Sequence, residues 1–433
     1  MTPGELDDAV LAAAAVALAA LGADPAGAVG RAGVRRPRHP EQGDYASPVA
    51  LRLAKATGLP ASELAGVIAA ELGRHPGVRR AEAAGPGFVS IWLTVQASGD
   101  LAGIIVADGR AYGRSDLLAG KRFQLVPAPD NPPLTALPPD DPSPDGLPFT
   151  GLSPDDPSPD GGLLTAALSH ARHAALSAAA GRLLLAAGAE LSGAAGPGVT
   201  SLRIPEPAAT RTSAPGPPLI SPPITRGTQD TGSAQTTSPS GPSTPELSVA
   251  QGAQGTSSAG VSAASLMPGT LGHLLAAVGT GTAWYALVSW PPGVPVEIDL
   301  AVWARRTSAS PAWVVRHARQ RIASLGGRVA AVGISLESGF DPGWLTAREE
   351  TSLLSMLAEF PSMVAVAGRA GEPHRLARYL ESVATAWSAC DEACPVLPRR
   401  GRPEPDLARA RLTLAEAAGT VLANGLRLLG VPD

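Results

Sequence analysis

Apolar residues recur at helical spacing over Glu5 to Leu21, Leu51 to Lys55, Ser62 to Leu72 and Leu101 to Ala107. Four such stretches predict four helices. Ser62 stands where an N-cap is expected, with Glu63 in the first turn. Val78 to Ala83 and Phe88 to Leu93 flank Gly85-Pro86-Gly87 and predict two short strands around a turn. These elements make residues 1–110 a small α/β domain. Arg122 to Val126 predicts one more strand, and Leu163 to Leu191 a long Ala- and Leu-rich helix. From Thr270 onward the period is helical almost throughout. Ser310-Pro311 opens a helix with the stripe Val314, Ala318, Ile322, Leu325, and Arg316, Arg319 and Gln320 fall on its opposite face with His317 at the edge. Pro373 opens another, with the stripe Leu376, Leu380, Val383, Trp387, Cys390, Cys394. A last helix runs over Asp406 to Leu429. Residues 269–433 therefore read as an all-α helix bundle.

Two runs break the pattern. Pro127 to Gly162 is an acidic Pro-rich insert, in which Leu137 to Gly146 returns almost unchanged as Leu152 to Gly161. Ser192 to Pro268 is rich in Ser, Thr, Pro and Gly and has no period. Segments so poor in large apolar side chains cannot offset the entropy of ordering, and both read as disordered linkers. The expected organisation is thus an α/β domain at 1–110, a remnant at 111–191 carrying the insert at 127–162, a linker at 192–268 and the bundle.

Composition narrows function only a little. The chain has 433 residues, a formal charge of -4 and 4% aromatic residues. That balance argues against sequence-blind nucleic-acid binding through overall charge, and against DNA as a partner, but leaves room for a local arginine-lined groove. Asp7 and Asp8 stand where a signal peptide needs positive charge, and Val10 to Leu21 is too short to cross a bilayer. A cytoplasmic protein with no membrane partner is expected. Cys390 and Cys394 are spaced as i, i+4 and continue an apolar stripe, so they read as core thiols. His170 and His173 have no Cys, Asp or Glu beside them and read as helix-surface residues. Arg321 falls within the apolar stripe of its helix and reads as a partly buried arginine paired with a carboxylate. No metal is expected.

Three stretches together resemble arginyl-tRNA synthetases. Pro40 to Leu51, followed by Gly85-Pro-Gly-Phe-Val-Ser90, is similar to the N-terminal domain that those enzymes use against the D-loop corner of tRNA. Ala277-Val-Gly279, Ala283-Trp-Tyr285, Glu297-Ile-Asp-Leu300 and Trp313 to Ile322 form the second stretch. Phe360-Pro361, Pro373 to Leu380, Ala410 to Leu414 and Val421 to Gly430 form the third, which resembles the helical anticodon-binding domain called DALR. The resemblance implies tRNA contacts by Arg38 and Tyr45 at the front, and by Arg305, Arg306, Arg316, His317, Arg319 and Gln320 on the bundle. Tyr45 would stack on an unpaired base. Pro48 stands where the family usually has Asn, His317 where it has tyrosine, and Asp391 where it has an anticodon-side tyrosine; an aspartate facing RNA would repel phosphate.

The middle departs from the family. Leu125-Val126 and Asn131-Pro132 echo the strand and turn that lead into a His-x-Gly-His signature. The signature itself reads Ala167-Leu168-Ser169-His170, with Ala167 for the first histidine and Ser169 for the glycine. Between His170 and Thr270 there is too little patterned chain for a doubly wound sheet. The expectation is a catalytically degenerate relative that binds tRNA or a protein partner and needs no cofactor. The alternatives are an ATP-dependent arginine–tRNA ligase and a protein-interaction scaffold without RNA binding.

Overall fold

A computed structural model describes residues 1–27, 30–37, 39–126, 168–205, 210–213, 269–334, 339–398, 401 and 403–432. The first run, its repeat and most of the second lie outside the described residues.

Helix α1 (Pro3–Ala20) starts at a capping box between Thr2 and Glu5. The carboxylate of Asp7 accepts from the amides of Ala32 and Val34 at 3.0 and 3.1 Å, so it fastens the following loop to the helix. Strands β1 (Tyr45–Ser47), β2 (Val78–Ala84) and β3 (Phe88–Leu93) form an antiparallel sheet in the order β1-β3-β2. Helices α2 (Val49–Thr57), α3 (Ala61–Leu72) and α4 (Val95–Asp108) complete the module, and α3 packs on both α1 and the sheet. The expected cap at Ser62 does not form: α3 begins one residue earlier with Pro60 as N-cap, which puts Ser62 inside the first turn. The fourth helix begins at Val95 and not near Leu101, because the Thr94 hydroxyl accepts from the amide of Ala97 and nucleates it earlier.

Strand β4 (Arg122–Val126) is followed by α5 (Leu168–Ala186), β5 (Glu190–Leu191) and β6 (Val199–Arg203), which make a parallel sheet in the order β5-β4-β6. A strand pair, β7 (Thr210–Ser213) with β8 (Val296–Asp299), lies at the other end of α5. Both β6 and β7 fall inside the run expected to be a linker, so that expectation is corrected for them. Val199-Thr-Ser-Leu-Arg203 has a linker's composition, but its backbone pairs with β4 through the whole strand. The sheet is apolar on one face only. Phe123, Leu125, Leu191 and Leu202 pack with Leu118, Leu184, Ala187 and Ala365. The alternate positions are mostly polar, with Arg122, Gln124, Glu190, Ser201 and Arg203 beside Val126 and Val199. A sheet covered by helices on both faces reads as a continuous apolar run, so this one is adapted to cover on one side.

Helices α6 (Leu271–Val278), α7 (Thr280–Val288), α8 (Leu300–Trp303), α9 (Pro311–Ala331), α10 (Arg348–Ala358), α11 (Phe360–Ala370), α12 (Pro373–Ala393) and α13 (Pro405–Leu429) form the bundle. The expected stripes point inward: Leu376, Leu380, Val383, Trp387 and Cys390 are buried, as are Ala318, Ile322 and Leu325, while Val314 is half-buried and Val315 takes its place in the core. Arg348–Ala370 is long and apolar enough to cross a membrane by composition, yet half of it is buried in the protein. Glu350, 1% exposed, accepts from Arg411 at 2.7 Å and from the Ala347 amide at 2.9 Å, so its charge is met inside the bundle.

The described parts pack directly against one another. Helix α5 packs against α7, α11 and α13, and Gly368 lets α11 approach its backbone at Leu183. The N-terminal module meets the bundle directly. Tyr112 donates to the Leu357 carbonyl at 2.9 Å, Asn424 donates to the carbonyls of Gly109 and Tyr112, and Tyr112, Phe360 and Tyr379 stack in series. One core therefore runs through both ends.

Both cysteines are free and buried, as core thiols. Burial pushes the Cys390 thiol up to about 12, so the folded state keeps this proton where the unfolded chain has lost it. Its contribution to stability is then constant below about pH 9 and falls as pH climbs from 9 towards 12. Urea midpoints between pH 7 and 10.5 should decline above 9, and Cys390→Ala should flatten that decline. An unchanged slope in the variant would assign the decline to other groups.

Candidate nucleic-acid interface

Helix α9 is built to show one basic face. Ala312, Val315, Ala318, Ile322, Leu325 and Val329 are buried against α12 and α13. The helix carries Arg316, Arg319, Arg321 and Arg328 and no carboxylate. With Arg305 and Arg306 just before it, residues 300–336 hold six arginines and neither Asp nor Glu, in a chain whose net charge is -4. Arg305, Arg306, Arg316 and Gln320 are exposed, and His317 and Arg319 are half-buried. The imidazole of His317 stacks on Trp313 with centroids 4.2 Å apart and planes at 11°. An aromatic pair beside arginines supplies both a stacking surface and phosphate donors.

Asp391 does not face this surface as a free charge. It forms an ion pair with Arg321 and keeps only 15% of its side chain exposed. The same guanidinium lies 5.0 Å from the centre of the Trp387 ring. The expectation of an aspartate repelling phosphate is corrected, because the charge is met within the protein. Arg321 is paired with a carboxylate as expected, but 44% of its side chain is exposed.

Tyr45 is also corrected. It sits on β1, an edge strand of the N-terminal sheet, at 5% exposure, and burial pushes its phenol well above the usual range. A base cannot stack on it. Tyr45→Ala should lower the unfolding free energy by about 3–5 kcal/mol while leaving the salt dependence of RNA binding by the folded protein as it was. A changed salt slope in that variant would return Tyr45 to the interface. Arg38 and Ala167 lie outside the described residues, as does the side chain of His170.

At the start of α5, the hydroxyl of Ser169 accepts from the Thr210 amide at 3.3 Å. Three residues on is a group that the sequence did not single out. Arg172 is 1% exposed and donates to the carbonyls of Pro291, Val294 and Trp290 at 2.7, 3.1 and 3.3 Å, and to the Thr210 hydroxyl at 3.3 Å. Its only advance signal was an arginine inside an otherwise apolar stretch. No group of three or more metal-ligating side chains occurs among the described residues.

The family described as "DALR anticodon binding domain" matches residues 315–433, and "Arginyl tRNA synthetase N terminal domain" matches residues 8–93. Both ends of the chain therefore carry domains of the arginyl-tRNA synthetase family. An arginine–tRNA ligase from Kineococcus radiotolerans is 45% identical over 166 residues, which is 38% of this chain and 30% of that protein. One from Clavibacter sepedonicus is 41% identical over 162 residues, 37% of this chain and 29% of the other. The chain thus spans under a third of the length of the curated relatives it matches. The structure of Thermus thermophilus arginyl-tRNA synthetase superposes with a TM-score of 0.55 at 14% identity, over 100% of this chain and 99% of that one. That likeness is one of fold. The anticodon-domain match takes in all of α9 from Val315 onward, so the basic face lies on the part of the chain with the clearest family relationship.

Proposed function

We propose that this relative of the arginyl-tRNA synthetases binds tRNA through the basic face of α9 and does not aminoacylate it. The observation that carries the RNA part is the run of six arginines without a carboxylate over residues 300–336. On a protein of net charge -4, such a run gives a local site for phosphates where overall charge gives none. The Trp313–His317 stack fits unpaired bases of a loop better than a duplex groove.

Three features support the loss of chemistry. The signature reads Ala167-Leu-Ser-His170. Its serine, where the family's glycine lets a nucleotide approach, is bonded to β7. The sheet at β4 is mostly polar, apart from Val126 and Val199, on the face that a doubly wound domain would cover. Purified protein titrated with total tRNA at rising salt is expected to bind at micromolar or lower concentration, with log affinity falling linearly against log salt. No salt-sensitive binding at that concentration rules out the RNA reading and leaves a protein-interaction scaffold.

The second reading is an ATP-dependent arginine–tRNA ligase, favoured by the fold likeness to the Thermus thermophilus enzyme over the whole chain. Arginine-dependent exchange of pyrophosphate into ATP separates the two. Turnover above background overturns the non-catalytic reading.

A further inference from the structure

Three arginines meet where the N-terminal module touches the last turn of α13. Asn424 donates through Nδ2 to the carbonyls of Gly109 and Tyr112 at 2.8 and 2.9 Å. One turn on, Arg427 donates through Nη2 to the Arg110 carbonyl at 2.8 Å and to Asn424 Oδ1 at 3.2 Å. The Arg114 amide closes the turn on the Ala111 carbonyl at 3.0 Å. These bonds hold residues 109–114 against the helix. Arg110 and Arg114 are exposed, and Arg427 is half-buried with its Nε buried and without an acceptor. None of the three enters an ion pair among the described residues.

Burial, and then the charges of Arg110 and Arg114, pull the Arg427 pKa down. A fourth guanidinium, Arg182, donates to the Leu428 carbonyl at 2.9 Å at the same helix end, and burial pulls its pKa down to about 10. The carboxylates closest in sequence to Arg110 and Arg114, Asp108 and Asp116, are exposed and enter no ion pair with them.

The simplest account is that these arginines answer the negative end of the α13 dipole. A helix end carries only about half a charge, against three arginines that repel one another. The interface hydrogen bonds hold the Arg427 guanidinium and the backbone that carries Arg110 and Arg114 in place, and guanidiniums gathered on such a frame suit an oxyanion. We propose that Arg110, Arg114 and Arg427 form an oxyanion site, separate from the α9 face, that holds a backbone phosphate of bound RNA. The proposal rests on the tRNA reading for its source of phosphate. Continuity favours it: a side chain built on Gly281 would meet the Arg316 guanidinium at 2.9 Å and the Pro432 carbonyl at 3.0 Å. The α9 face therefore reaches the same chain end that the three arginines border.

The test is the double variant Arg110→Ala, Arg114→Ala in the full chain. Both side chains are exposed, so the hydrogen bonds of Asn424 and Arg427 to this turn's backbone remain. In one arm tRNA is titrated at several salt concentrations. The variant is expected to bind about tenfold more weakly, with a salt slope lower by about one. In the other arm thermal unfolding is followed in inorganic phosphate against chloride at equal ionic strength. Millimolar phosphate should raise the wild-type midpoint and leave the variant's unmoved. Effects in both arms support the site and its RNA source. An effect of phosphate alone supports the site and overturns RNA as its source. No effect in either arm overturns the site. If wild-type protein binds no tRNA, the tRNA reading fails on its own and the phosphate arm alone decides the site.

Discussion

Replacing Arg172 by methionine is expected to lower the unfolding free energy by about 3–5 kcal/mol. Methionine fills the volume of the stem but donates nothing. Three backbone carbonyls in the 290–294 loop and the Thr210 hydroxyl lose their donor inside the protein. Each buried acceptor left unmet costs about 1–3 kcal/mol. Relief from burying a charge returns part of that sum, because burial already pulls the Arg172 pKa down to about 10. The carbonyls outnumber the charge, so the loss dominates. Lysine at the same place brings one ammonium and cannot span four acceptors, so Arg172→Lys should recover less than half of the stability. Urea unfolding measures both, and a change under 1 kcal/mol in the methionine variant would show that the loop does not depend on this side chain. The effect would reach beyond the loop, since Arg172 joins α5 to the segment between α7 and β8.

Reversing two charges on the basic face, Arg306→Glu with Arg316→Glu, is expected to weaken tRNA binding by at least about a hundredfold at moderate salt, with the salt slope lower by roughly two. Each substitution removes a cation and adds a repelling anion beside the stack of Trp313 and His317. Arg306 is exposed and enters no ion pair among the described residues, and Arg316 is exposed on the outer face of α9. Circular dichroism and the urea midpoint should stay within about 0.5 kcal/mol of wild type. Affinity unchanged within threefold would move the RNA contact off α9. Asp391→Ala is the informative contrast. It frees Arg321 from its ion pair and, if the face binds phosphate, should tighten binding and not loosen it.

The helices of the bundle were legible because their stripes are long and regular. A run such as Leu376, Leu380, Val383, Trp387, Cys390 can bury itself only as one side of a helix. Strands β6 and β7 were not legible. Five and four residues of mixed small and polar type carry no period of their own, and their partners lie far along the chain, β4 for one and β8 for the other. Ser62 misled for a local reason. Any serine ahead of an apolar run looks like a cap, and which residue leaves the helical conformation is set by Pro60 and the entering chain.

The site divided in the same way. The arginines of α9 follow from the sequence, since a helix buried along Ala312, Val315, Ala318 and Ile322 must turn Arg316 and Gln320 outward. Tyr45 did not, because β1 is three residues long, too short to show a period, and only the folded chain around it decides that its side chain is buried.

By itself, the sequence determined the two family-like ends, the helical bundle, the altered signature and the surplus of arginine over residues 300–336. These depend on residue type and short-range period, which a chain carries without folding. The tertiary structure alone decided that Asp391 is neutralised by Arg321, that Arg172 is consumed by four acceptors, and that Arg110, Arg114 and Arg427 come together without an ion pair among the described residues. Those are matters of distance between residues up to about 317 positions apart in the chain. Charge acts through space and through the dielectric around it, so what a charged residue does is settled only when the fold has chosen its neighbours.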